Sequence, residues 1–281
     1  MKNWYKQKPD LFWKRPCSCP QRYFENALTR RHVLATGLGL AASSLAGCGG
    51  GGDDADASAI ARPRLLVPAY FRETALWAAV STPRDPAHWI IANAASGPGS
   101  RRDEVLAGFI AQARQGGHQV LGYVATNYTR VPLATVLDAA ARWDQLYGVG
   151  HLFVDEVAAQ ASGLAYYADL IAGWRRLQPG GLIVLNSGTT PDPGYFRLDP
   201  ALEIVVFEDR WTAFAAYRFP DTLRPWRARS HLIVYSAPQE ALLSVYDFVR
   251  RQGLHGFFVT DTSSAEYHLR LPSYWAQQVA L

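Results

Sequence analysis

Two pairs of neighbouring acids each follow directly on an apolar run: Phe153-Val154-Asp155-Glu156 and, farther along, Phe207-Glu208-Asp209. A carboxyl group at the end of such a run is partly desolvated, and a second charge beside it drives the titrations of the pair apart. One acid can then keep a proton near neutral pH while the other stays ionised. Cleavage of a glycosidic bond asks for that division: a carboxylic acid protonates the leaving oxygen, and a carboxylate attacks the sugar or activates a water. The plainer roles for such residues are helix N-capping and surface ion pairing. Strand alternation sends Asp155 and Glu156 to opposite faces, so both serve one site only if the chain bends there.

Other chemistries find less support. The sequence has no Gly-x-Ser-x-Gly elbow, the turn on which many serine hydrolases carry their nucleophile. Ser96-Gly97-Pro98-Gly99-Ser100 is glycine-rich but lacks the Lys-Ser/Thr of a phosphate-binding loop, and it reads as a tight loop. His118, His151, His231, His255 and His268 are scattered without metal-ligand spacing, so no metal and no cofactor is expected. The cysteines are Cys17, Cys19 and Cys48, which leaves the chain beyond them without a thiolate nucleophile or an internal disulfide.

The acids need elements to position them. From Arg64 onward, short β-branched or aromatic runs alternate with longer amphipathic stretches. The predicted strands are Leu65–Phe71, His88–Ala94, Gln119–Thr126, His151–Val157, Leu182–Ser187, Leu202–Glu208, His231–Ser236 and Leu254–Asp261. Runs such as Leu182-Ile183-Val184-Leu185 suit parallel strands buried on both faces. Helical spacing marks Arg102–Gln115, Pro132–Tyr147, Leu164–Leu177 and Glu240–Arg251, whereas Pro191, Pro193 and Pro200 leave no room for a full helix between Ser187 and Leu202. Eight strands alternating with helices predict an α/β fold, a single (β/α)8 TIM barrel; a doubly wound open sheet is the alternative.

Active sites of such barrels lie at the C-terminal ends of the strands. Read there, the strands finish in Tyr70, Asn93, Thr126, Asp155-Glu156, Asn186, Glu208-Asp209, Tyr235 and Asp261. Asp155, Asn186, Glu208 and Asp261 are therefore expected on one rim. Tyr70, Asn93, Tyr123, Asn186, Tyr235 and Asp261 are expected to line a polysaccharide cleft, where aromatic rings cover the apolar face of a sugar.

The first 47 residues read differently. Thr29-Arg30-Arg31-His32-Val33-Leu34 matches a twin-arginine export signal, and the apolar stretch after it ends in Leu45-Ala46-Gly47-Cys48, a lipobox-like tetrapeptide. Residues 1–47 are thus expected to be a signal peptide, Cys48 the lipidated residue, 48–62 a Gly/Asp tether and 63–281 the barrel. That makes the protein an exported lipoprotein of the cell envelope, anchored to a membrane and monomeric. The basic balance also belongs to this segment. It holds eight of the 28 Lys and Arg and two of the 24 Asp and Glu, which leaves 20 basic against 22 acidic residues beyond it. Without a basic stripe, nucleic-acid binding is not expected.

The strand-end motifs together resemble the spherulation-specific family 4, or spherulin-4-like, proteins of glycoside hydrolase family 135. The segments that carry the likeness are Leu65-Leu66-Val67-Pro68-Ala69-Tyr70, Ser96-Gly97-Pro98-Gly99 and Val120-Leu121-Gly122-Tyr123-Val124. Trp143, Tyr147, Phe153-Val154-Asp155-Glu156, Leu185-Asn186-Ser187-Gly188-Thr189 and Val205-Val206-Phe207-Glu208 continue it. The resemblance implies an endo-acting (β/α)8 hydrolase of α-1,4-linked N-acetylgalactosamine or galactosamine exopolysaccharide, with essential acids at Asp155, Glu156 and Glu208. Within it, Asp155 is expected as nucleophile or water-positioning base, Glu208 as acid/base, and Glu156 as a residue that tunes or orients them. The sequence departs from the family pattern at Asn93-Ala94-Ala95, where Asn-Pro-Asn is common, and at Asn186-Ser187, where Asn-Pro is common. The competing function is a non-catalytic polysaccharide-binding lipoprotein on the same barrel.

Overall fold

The computed structural model describes residues 62–281. The expected signal peptide, Cys48 and all but the last residue of the expected tether lie outside them.

The eight expected strands form, as β1 (Arg64–Ala69), β2 (Trp89–Ala92), β3 (Gln119–Ala125), β4 (Leu152–Asp155), β5 (Ile183–Asn186), β6 (Leu202–Arg210), β7 (Ser230–Tyr235) and β8 (Gly256–Val259). They are all parallel and pair in chain order, and β8 closes on β1. The open-sheet alternative is thereby overturned. Most strand residues are buried, because side chains meet the barrel interior on one face and the helices on the other.

The helices are α1 (Thr74–Val80), α2 (Glu104–Gln115), α3 (Leu133–Tyr147), α4 (Leu164–Leu177), α5 (Trp211–Phe214), α6 (Ala241–Gln252) and α7 (Trp275–Ala280). Local chemistry sets several of their ends. The Asp103 carboxylate accepts the free N–H groups of Val105 and Leu106 at the start of α2, at 3.0 and 3.1 Å. Gly148 and Gly253 stop α3 and α6 in the left-handed conformation. The proline-rich stretch between β5 and β6 makes only a short 3-10 turn, Pro193–Arg197. Between β6 and β7 the crossover shrinks to the single turn of α5 and a 3-10 segment, Asp221–Arg229. No helix among the described residues is long and apolar enough to cross a membrane.

One helix–strand contact bears on the site. The Trp143 ring of α3 lies flat against Gly122 of β3, so that an added Cβ would stand 2.4 Å from its Cγ. The Trp143 indole N–H donates to the carbonyl of Tyr123 at 2.8 Å, which fixes the backbone that carries the Tyr123 side chain. A Gly122→Ala variant must push that indole outward. Overpacking of this kind is expected to cost about 1–3 kcal/mol. A thermal melt should show Tm lowered by roughly 3–10 °C for a domain of this size; an unchanged Tm would mean that α3 yields without strain.

Candidate active site

The pairing register fixes which side chains reach the barrel axis. Tyr123 pairs with Phe153, Ala125 with Asp155, Val184 with Glu203 and Asn186 with Val205, so Tyr123, Asp155, Asn186, Glu203 and Val205 share the inner face. Strict alternation from Glu203 and Val205 would carry Glu208 to the outside. A bulge between Val205 and Phe207 resets the count. Phe207 then turns outward onto Phe214 and Tyr217, with ring centroids at 5.7 and 4.5 Å. Glu208 turns inward.

There it joins a closed set of hydrogen bonds. The Asn186 amide nitrogen donates to Asp155 Oδ1 at 2.9 Å and to Glu208 Oε2 at 2.5 Å. Its amide oxygen accepts the N–H of Gly188 at 3.1 Å, which fixes the amide with its NH2 toward the acids. The Tyr123 hydroxyl donates to Asp155 Oδ2 at 2.9 Å, and the Tyr267 hydroxyl to Glu208 Oε1 at 2.8 Å. Each carboxylate oxygen thus has one donor and keeps lone pairs for a ligand.

Burial pushes the Glu208 carboxyl above its ordinary range and the nearby Asp155 charge adds to the rise, against the hydrogen bonds from Asn186 and Tyr267. Raised titration of at least one of the three acids is what the strand-end reading implies. The phenols of Tyr70 and Tyr267 are pushed well up, by burial first and then by the acids beside them, so both rings stay neutral donors. Tyr70 meets Tyr123 edge-on at 5.5 Å and His268 at 4.8 Å. Burial lowers the His268 imidazole.

The remaining expected residues divide. Glu156 sits at φ 54°, so the chain does bend after Asp155, but the Glu156 carboxylate takes no part in the Asp155–Asn186–Glu208 network. Its carbonyl instead accepts the Tyr128 N–H at 2.7 Å and the Thr126 hydroxyl at 2.8 Å. The Tyr235 ring lies near-parallel to Tyr267 with centroids 6.2 Å apart, and its hydroxyl donates to Asp209 at 3.1 Å. Asn93 uses its amide oxygen to hold Gly97 N–H at 2.9 Å within the tight loop. Asp261 follows β8 but lies off the network, 3.7 Å from Arg270 and accepting the N–H of Ser273 at 3.3 Å.

Tyr267 and His268 escaped the strand-end reading because they stand on the loop between β8 and α7. The signal was present: an adjacent Tyr and His on the C-terminal side of the last strand, where loops of this fold carry function. Tyr267→Phe removes a hydrogen bond that lowers the Glu208 pKa. Protonated Glu208 is the form able to act as an acid, and it is lost as pH rises through its pKa. The high-pH limb of kcat/KM is therefore expected to move to higher pH in this variant, and a limb that stays in place would remove Tyr267 from the site.

Among the described residues one group has metal-ligating chemistry, Glu203, His231 and His255, with ligand atoms all within 4.8 Å of one another. It lies toward the opposite end of the barrel. Arg64 Nε donates to His255 Nε2 at 3.3 Å, so the ring proton sits on Nδ1 and faces Glu203 Oε2 at 2.9 Å; His231 Nε2 meets the same oxygen at 2.5 Å. Burial pushes the Glu203 carboxyl up, but the bonds from His231 and His255 outweigh it and hold it at about 2. In this tautomer His255 presents a proton, not a lone pair, toward the centre of the group. The cluster is a buried ionic hydrogen-bond anchor.

The protein of known structure Sph3 from Aspergillus clavatus, solved in complex with GalNAc, superposes with a TM-score of 0.66 at 24% identity, over 78% of this chain and 97% of that one. The Bacillus cereus spore cortex-lytic enzyme SleL shares the fold more distantly, with a TM-score of 0.50 at 10% identity, over 77% of this chain and 74% of its own. Spherulin-4 of Physarum polycephalum is 31% identical over 150 residues, which span 52% of this chain and 45% of that relative. The model of the spherulation-specific family 4 matches residues 64–281, from β1 to the last residue. By that match the chain belongs to the spherulation-specific family 4.

Proposed function

We propose that this protein is an endo-acting glycoside hydrolase of an amino-sugar exopolysaccharide, built on α-1,4-linked N-acetylgalactosamine or galactosamine. The observation that carries the reading is the single Asn186 nitrogen bonded to both Asp155 and Glu208, on the axis and at the C-terminal end of a (β/α)8 barrel. The GalNAc held by Sph3 is in keeping with the choice of sugar. Export as a lipoprotein through Cys48, to meet polymer at the cell envelope as a monomer, belongs to the same proposal.

Asp155 is the nucleophile and Glu208 the acid/base. Asp155 attacks the anomeric carbon while Glu208 gives its proton to the departing oxygen; the glycosidic C–O bond breaks and a C–O bond to Asp155 forms. Water then attacks that carbon, gives a proton to the Glu208 carboxylate, and frees Asp155. The raised Glu208 pKa supports a proton being available for the first half, and burial strengthens both charges' effect on the reacting centre. Glu156 borders the pair from its strained position and orients the β4 end.

The spacing supports retention. The two contacted oxygens cannot be farther apart than the 2.9 and 2.5 Å bonds laid end to end. That belongs with the separation of about 5–5.5 Å seen in retaining enzymes, not the roughly 6.5–9.5 Å that leaves room for an attacking water. Proton NMR of the first reducing ends released from the polymer reads the outcome. The α-anomer is expected first; the β-anomer would reassign Asp155 to activating a water.

A further inference from the structure

The turn after β3 holds three consecutive residues, Asn127, Tyr128 and Thr129, at φ 45°, 55° and 74°. Residues with a Cβ other than Asn and Asp rarely enter this region, and three consecutive residues there, Tyr128 and Thr129 among them, persist only when surrounding structure enforces them. Here it does. The Tyr128 N–H is bound by Glu156 at 2.7 Å, Arg130 N–H by the carbonyl of Asn127 at 3.1 Å, and Val131 N–H by Thr126 at 3.0 Å. The Thr126 hydroxyl meets the buried Tyr167 hydroxyl at 2.7 Å. Glu156, which anchors Tyr128, is itself at φ 54°. Two strained strand ends therefore hold each other.

What this strain delivers is an aromatic ring in water. Tyr128 is 52% exposed. Of the other large apolar side chains left exposed among the described residues, Val105, Leu177 and Leu243 lie on the outer helices, and Leu269 lies on the loop after β8. Partial burial raises the Tyr128 phenol pKa, and the charges of Glu156, Asp155 and Glu208 add to the rise. Arg130 lies near the ring, its guanidinium carbon 6.0 Å from the centroid. A ring with no core to fill, on a turn bonded to Glu156 next to Asp155, has the chemistry of a platform for the C–H face of a pyranose.

We propose that Tyr128 is such a platform, binding a sugar ring of the polymer in a subsite next to the one that spans Asp155 and Glu208. This rests on the polysaccharide-hydrolase reading of the cleft. Tyr128 then contributes to holding a long chain, while the acids act on the linkage.

The test uses the full chain with Tyr128→Asn, which removes the ring yet tolerates a left-handed φ, and Tyr128→Phe, which keeps the ring. With an α-1,4-linked N-acetylgalactosamine polymer, Tyr128→Asn is expected to raise KM by about 3–10-fold, the factor matching the strength of an aromatic contact. Its kcat should stay within about twofold, and Tyr128→Phe should behave as wild type on both measures. An unchanged KM, or a fall in kcat with KM constant, would overturn the proposal, the latter by showing that the turn acts only through Glu156. If the wild type releases nothing from the polymer, the hydrolase reading has failed separately. Retardation in gels containing the polymer then decides: weaker for Tyr128→Asn supports the platform, and equal overturns it.

Discussion

Glu208→Gln is expected to lower turnover of the polymer by a factor on the order of 10²–10⁴, the usual consequence of losing a general acid–base group. Gln keeps the size of the side chain; its amide oxygen can still accept from Asn186, and its NH2 then faces the Tyr267 hydroxyl, which can turn to accept it, so polymer binding and KM should change little. The fold should not suffer. The Glu208 carboxyl is raised in the folded protein, so its contribution to stability is fully present at acid pH and is lost as pH rises through that raised value. Above the ordinary carboxyl range the native state therefore carries a cost at Glu208, and the neutral Gln relieves it. A thermal melt at neutral pH should place Glu208→Gln at or above wild type. A folded variant that cleaves as fast as wild type would remove Glu208 from the chemistry.

Asp155→Asn is expected to be as inactive as Glu208→Gln, because in the proposed reaction the first C–O bond forms to this carboxylate. The double variant should be scarcely worse than either single one, since residues that act as a unit are not additive. Asp155→Asn carries a second signature. The Asp155 charge helps to raise Glu208, so its removal should bring the Glu208 titration down toward the ordinary carboxyl range. Carboxyl-resolved NMR titration reads this directly, without turnover. A Glu208 titration unmoved by Asp155→Asn would mean that the two groups are not coupled.

Much of this site was legible in the chain. Leu182-Ile183-Val184-Leu185 and Phe153-Val154 declare buried parallel strands by their lack of alternation, and the residues that end them, Asn186 and Asp155, meet at the C-terminal end of the barrel. What could not be read depends on tertiary structure. The run Val205-Val206-Phe207-Glu208 gives no local sign of a bulge, and uninterrupted alternation from Glu203 would have turned Glu208 away from Asp155. The bulge shows only in the pairing of β6 with β7, and it turns Phe207 onto Phe214 of α5. Tyr267 reaches Glu208 from a loop, where hydrophobic periodicity says nothing. Asn93 and Asp261 stand at strand ends as expected, yet a neighbouring loop claims the first, and Arg270 and Ser273 engage the second. A strand-end position selects candidates; only the closed barrel sorts them.

Cleavage of an amino-sugar polymer by the Asp155–Asn186–Glu208 group is the proposal on which the other roles depend. Its most direct test is to incubate the full chain with purified polysaccharides, α-1,4-linked N-acetylgalactosamine and galactosamine polymers among them, and to follow soluble products by mass spectrometry. Oligosaccharides of several lengths are expected from an amino-sugar polymer with wild type, and none above background with Glu208→Gln or Asp155→Asn under the same conditions. A folded wild-type protein that binds these polymers and releases nothing from any of them would contradict the account.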